Sequence, residues 1–130
     1  MANTRTDYSV TILESSKELT PKERIGFKDT TNAISLDEAV TEGFPLVISP
    51  ESWVMLNVHN EKAEDKEYLK YIVVDKSGQK YTTGSGSFWI SFQSIWTEME
   101  GENEPYEIEI YKLPSKNFKG KSFLTCSIVM

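Results

Sequence analysis

A mainly β chain with one amphipathic helix is the fold class that the sequence predicts, and three observations predict it. Three stretches alternate apolar and polar residues with the two-residue period of a half-buried strand, SWVMLNVHN (52–60), YEIEIYKL (106–113) and SFLTCSIV (122–129), and YLKYIVVD (68–75) follows the first of them as the next strand. One stretch, SGSFWISFQSIWTEME (85–100), changes period and puts Phe88, Trp89, Phe92, Ile95, Trp96 and Met99 on one helical face. Turn residues stand between the alternating stretches, Gly78 in KSGQ (76–79) and Pro114, Asn117 and Gly120 in PSKNFKG (114–120).

Taken in order, YSVTIL (8–13) is a candidate strand, and SSKELTPKE (15–23), with Pro21, reads as a loop or short helical turn. RIGFKDT (24–30) is a second candidate strand, and either stretch fills the first strand position. SLDEAVTEG (35–43) reads as one or two helical turns, with Ser35 as N-cap and Gly43 as terminator. In 52–60, Val54, Leu56 and Val58 are expected to face the core, and Trp53, Met55, Asn57 and His59 to face outward. EKAEDKE (61–67) is a charged connector, and KYTTG (80–84) is the returning arm of a hairpin after 68–75. Ser87 is expected to cap the long helix, with Gly101 just past its end. In the last hairpin Tyr106, Ile108 and Ile110 oppose Glu107, Glu109 and Tyr111, while Leu124, Cys126 and Ile128 oppose Phe123, Thr125 and Ser127. Five strands with one helix between the third and fourth is the order of a five-stranded OB-fold barrel. Residues 1–130 are read as one such domain, with 1–23 as a peripheral extension if strand one lies later.

Composition narrows the chemistry. No apolar run approaches the ~18–20 residues of a membrane helix, and MANTRTDYSV lacks the apolar core of a secretory signal. A single cysteine excludes an internal disulfide and fits a reducing cytoplasm. One histidine and one cysteine argue against a Cys/His zinc site, so neither metal nor cofactor is expected. His59 reads as a contact residue and Cys126 as a small core residue. TGSGSF (83–88) lacks the Lys-Ser/Thr of a phosphate loop and reads as a turn and helix cap. With no credible base, nucleophile or metal cluster, no enzyme activity is expected.

Charge is segregated. The chain carries a formal charge of −6, yet residues 98–109 hold six glutamates and no base, and residues 110–130 hold four lysines and no acid. The basic stretch, KLPSKNFKGKSF (112–123), interleaves Lys112, Lys116, Lys119 and Lys121 with Phe118 and Phe123. Cations for phosphates and rings for bases are what a sequence-tolerant reader of single-stranded nucleic acid needs. This stretch also joins strands four and five, a usual nucleic-acid loop of an OB barrel. Trp53, Asn57, His59, Lys70, Lys80 and Tyr81 are expected to supply the rest of the groove from strands two and three. Alternation leaves open whether Lys70 or Tyr71 faces out. The rival reading is an acidic protein-binding or inhibitory module, in which 98–109 docks on a basic host protein.

KELTPKERIGFKDTTNAISLDEA, YTTGSGSFWISFQSIW and PSKNFKGKSFLTCSI together resemble small single-stranded DNA-binding proteins of bacteriophages and mobile elements of Gram-positive bacteria. The resemblance spans roughly residues 17–128. It implies an OB-fold, single-stranded DNA binding in replication or recombination, no catalysis, and Lys116, Phe118, Lys119 and Lys121 in the binding loop. Replication or recombination proteins are the implied protein partners, and homo-oligomer assembly is expected because one domain covers only ~4–16 nucleotides. Housekeeping bacterial proteins of this function end in an acidic recruiting tail; this sequence ends LTCSIVM, which departs from that pattern.

Overall fold

The computed structural model describes residues 8–41, 44–116 and 120–130. The elements are β1 (Tyr8–Ser15), α1 (Pro21–Lys28), β2 (Ile34–Ser35), α2 (Leu36–Ala39), β3 (Leu46–Ile48), β4 (Pro50–Asn60), β5 (Glu67–Asp75), β6 (Lys80–Thr83), α3 (Gly86–Met99), β7 (Ile108–Pro114) and β8 (Ser122–Ile128). The chain is mainly β, as its alternation predicts. The strands form two sheets, ordered β1-β4-β5-β6-β2 and β3-β7-β8, and among the described residues they do not close into a barrel. Among the described residues, eight strands and three helices replace the expected five and one.

The N-terminal third departs most from expectation. YSVTIL is in a strand, antiparallel to β4. RIGFKDT is not: most of it continues helix α1. The helix starts because Thr20 and Glu23 form a capping box and Pro21 follows the cap. The Thr20 hydroxyl accepts the Glu23 N–H at 3.2 Å, and the Glu23 carboxylate accepts the Thr20 N–H at 3.0 Å. Gly43, expected to end the helical turns after Ser35, lies outside the described residues.

The β4–β5 register sorts side chains onto two faces, Trp53↔Val73 and Met55↔Tyr71 on one, Val54↔Ile72 and Leu56↔Lys70 on the other. Both faces are covered. Leu19 and Phe27, flanking and ending the α1 segment, pack on Val54, Leu56 and Ile72. The opposite face carries Trp53, Tyr71 and Val73 against Phe88, Trp89 and Phe92 of α3, Leu36 of α2, and Ile48, Ile108, Ile110, Leu124 and Cys126 of the second sheet. The alternation of the last hairpin thus holds, with Ile108, Ile110, Leu124 and Cys126 inside. Burial pushes the Cys126 thiol up to about 12.

Trp89 is the centre of the larger core. Its ring stacks on Tyr71 at 4.4 Å and 10°, meets Trp53 edge-on at 5.3 Å, and lies 5.4 Å from Phe92. Helix α3 is capped two residues before the expected position. Ser85 is the N-cap and accepts the Phe88 N–H. Ser87 instead donates to the Leu124 carbonyl of β8 at 2.7 Å, and Ser91 shares a hydrogen bond with Thr125 at 3.0 Å. Strand β8 therefore has β7 on one side and α3 on the other, while β6 has β5 and β2. Neither is left to close the ring. No helix among the described residues is long and apolar enough to cross a membrane.

Removing the central ring should open a cavity that two sheets and α3 cannot fill. Trp89→Ala is expected to cost about 3–5 kcal/mol in urea unfolding. Ile90→Ala, next to it but 74% exposed, should stay within about 0.5 kcal/mol of wild type.

Candidate nucleic-acid interface

The outer face of the β7–β8 hairpin follows from its inner one. With Ile110 and Cys126 paired inside, Leu113 and Phe123 pair three positions further along and point out, 41% and 39% exposed. The Ser115 N–H donates to the Lys121 carbonyl at 2.8 Å and closes the hairpin mouth. Gly120 takes φ +77°, a left-handed conformation that favours glycine. Leu113, Pro114, Ser115, Lys116 and Phe123 line a surface groove of about 510 Å³; Lys116 is exposed on it, and Lys121, joined to Ser115 across the hairpin, is exposed as well. A flat ring, an apolar wall and two cations thus share one hairpin tip. Phe118 and Lys119 lie outside the described residues.

Several expected contributors are elsewhere. Trp53 is 7% exposed and faces α3 instead of solvent, because both faces of β4 are covered and its face carries the larger core. Tyr81 shares that face, packs half-buried against the same core, and burial raises its phenol above the usual range. Lys80 lies on the other face. Its ammonium donates to the Gly26 carbonyl at 3.1 Å and sits 5.0 Å above the Phe27 ring, so it fastens α1 to the sheet. Lys70 is opposite Leu56, on the α1 side, and is half-buried. Lys112 has the inward phase of Ile108 and Ile110, and its ammonium donates to the Asp37 carbonyl at 2.7 Å.

The far end of β4 and β5 is held by acids. His59 Nδ1 is 2.9 Å from Glu67 and Nε2 is 2.7 Å from Glu61, and Lys66 pairs with Glu61 at 3.2 Å. Asn57 donates to the same Glu67 carboxylate at 3.5 Å. The hydrogen bond to Glu67, with the charges of Glu67 and Glu61, raises the imidazole above its ordinary range against a smaller desolvation effect. Asn57 and His59 are therefore committed to carboxylates, which repel phosphate. Of the eleven residues expected in the groove, the described structure brings Lys116 and Lys121 together at the tip. Leu113 and Phe123 join them, and the outward phase of Phe123 beside Leu124 was the signal for it.

No protein-family model, curated protein or solved structure matches the chain.

The His59 clamp has a definite pH signature. A histidine with a raised folded-state pKa stabilises the fold fully below the ordinary imidazole pKa, and the contribution fades as pH rises through the raised value. An NMR titration should find His59 titrating above an unpaired imidazole. Glu67→Gln should move that midpoint down, and an unmoved midpoint would remove Glu67 as the cause.

Proposed function

We propose that this chain binds single-stranded DNA with little sequence specificity, through the tip of the β7–β8 hairpin and without catalysis. The observation that carries the reading is the exposed Leu113–Phe123 pair beside Lys116 and Lys121, in a stretch that contains no acid from residue 110 to residue 130. Stacking on Phe123 supplies affinity that does not depend on base identity, roughly 1–3 kcal/mol per base. The lysines neutralise phosphates and release counterions.

The order of elements supports the same reading. Strands β3 and β4 are nearly continuous and serve two sheets, and β5, β6, α3, β7 and β8 follow in the sequence of an OB-fold. In that correspondence the β7–β8 connection takes the place of the loop between strands four and five. The first sheet contributes less than an OB groove would, since α1 lies on one face and α3 on the other. The setting proposed is phage or mobile-element replication or recombination in a bacterial cytoplasm.

Anisotropy with labelled oligo-dT tests the reading; tryptophan emission is a poor probe because Trp53 and Trp89 are buried. Binding should weaken with salt and be much weaker for duplex. Lys116→Ala with Lys121→Ala should reduce the log–log salt slope by about 1.4, at about 0.7 per single-strand phosphate contact. Phe123→Ala should cost about 1–3 kcal/mol at an unchanged slope. A double lysine variant that binds like wild type at low salt would refute the tip as the binding element.

A further inference from the structure

Strand β7 is seven residues long, roughly 20 Å at about 3.3 Å per residue. Its two ends carry opposite chemistry. Just before it lies a cleft of about 460 Å³ in which apolar side chains (Pro50, Trp96, Met99, Pro105 and Tyr106) share the lining with polar ones. Glu100, Glu102 and Glu104 stand exposed on the rim, with Lys76 as the cation among the lining residues. The cleft sits at the C-terminal end of α3, whose last turn carries no basic residue. Carboxylates there oppose the helix dipole, so an arriving ammonium group is favoured twice. Just after β7 lies the hairpin tip, with Leu113 and Phe123 exposed beside Lys116 and Lys121.

We propose that the hairpin tip of one copy docks in the acid-rimmed, partly apolar cleft of a second copy. The match is twofold: a ring and an aliphatic side chain meet the apolar side chains of the lining, and lysines meet glutamates. Within one chain the two surfaces lie at opposite ends of the same strand, so the contact forms between chains. It is head-to-tail, and each added copy leaves one tip and one cleft open, which builds rows. The proposal does not rest on nucleic-acid binding, although DNA and the cleft would call on the same lysines.

Sedimentation velocity without DNA tests it. Wild-type protein should associate at low ionic strength in a concentration-dependent way and dissociate as salt is raised. Glu100→Gln with Glu102→Gln and Glu104→Gln should sediment as a monomer, and so should Lys116→Gln with Lys121→Gln. A mixture of the two variants restores one good tip and one good cleft, and should stop at a one-to-one heterodimer. The proposal is overturned if wild type stays monomeric under these conditions, if either variant associates like wild type, or if the mixture stays monomeric. Circular dichroism on each variant checks that the fold is kept. Loss of oligo-dT binding alone would strike the DNA reading and leave this one standing.

Discussion

The stack of Trp89 on Tyr71 is the contact on which the arrangement depends. It seats α3 against the five-stranded sheet and draws Trp53 into the same cluster. With α3 fixed there, its serines reach Leu124 and Thr125 and set the position of β8. The hairpin that β8 shares with β7 is therefore aimed by a ring several elements away. The same seating explains why the two sheets remain separate: α3 lies along β8 where a further strand would be needed.

Much of this was legible from residue order. Alternation located β4, β7 and β8, an apolar run before the KSGQ turn located β5, and the switch to a helical period located α3. What alternation could not do was choose a face of β4. Val54, Leu56 and Val58 form one apolar row, and Trp53 and Met55 begin another. In a strand covered on both sides the pattern has no outside. The cover on the second side comes from α1, and α1 was itself announced by Thr20-Pro21-Lys22-Glu23, a capping box that a strand reading of 24–30 passes over. Tertiary contacts decided the rest.

The lysines show the same limit. All carry the same charge in the sequence, but Lys80 and Lys112 donate to backbone carbonyls of distant segments, Gly26 and Asp37. Such a carbonyl leaves no mark in composition. Lys116 and Lys121 are instead exposed at a hairpin end. Segregation of charge along the chain thus becomes segregation in space only at the ends of β7. The β4–β5 hairpin instead mixes its charges locally, around His59.

Cys126 sits in the layer beneath that tip, 5% exposed, with its thiol held far from ionisation by burial. The thiolate is the form that exchanges with disulfides, reacts with oxidants and binds soft metals. At neutral pH it scarcely exists here. Burial therefore keeps the single sulfhydryl of the folded molecule out of thiolate chemistry, whatever the redox state of its surroundings.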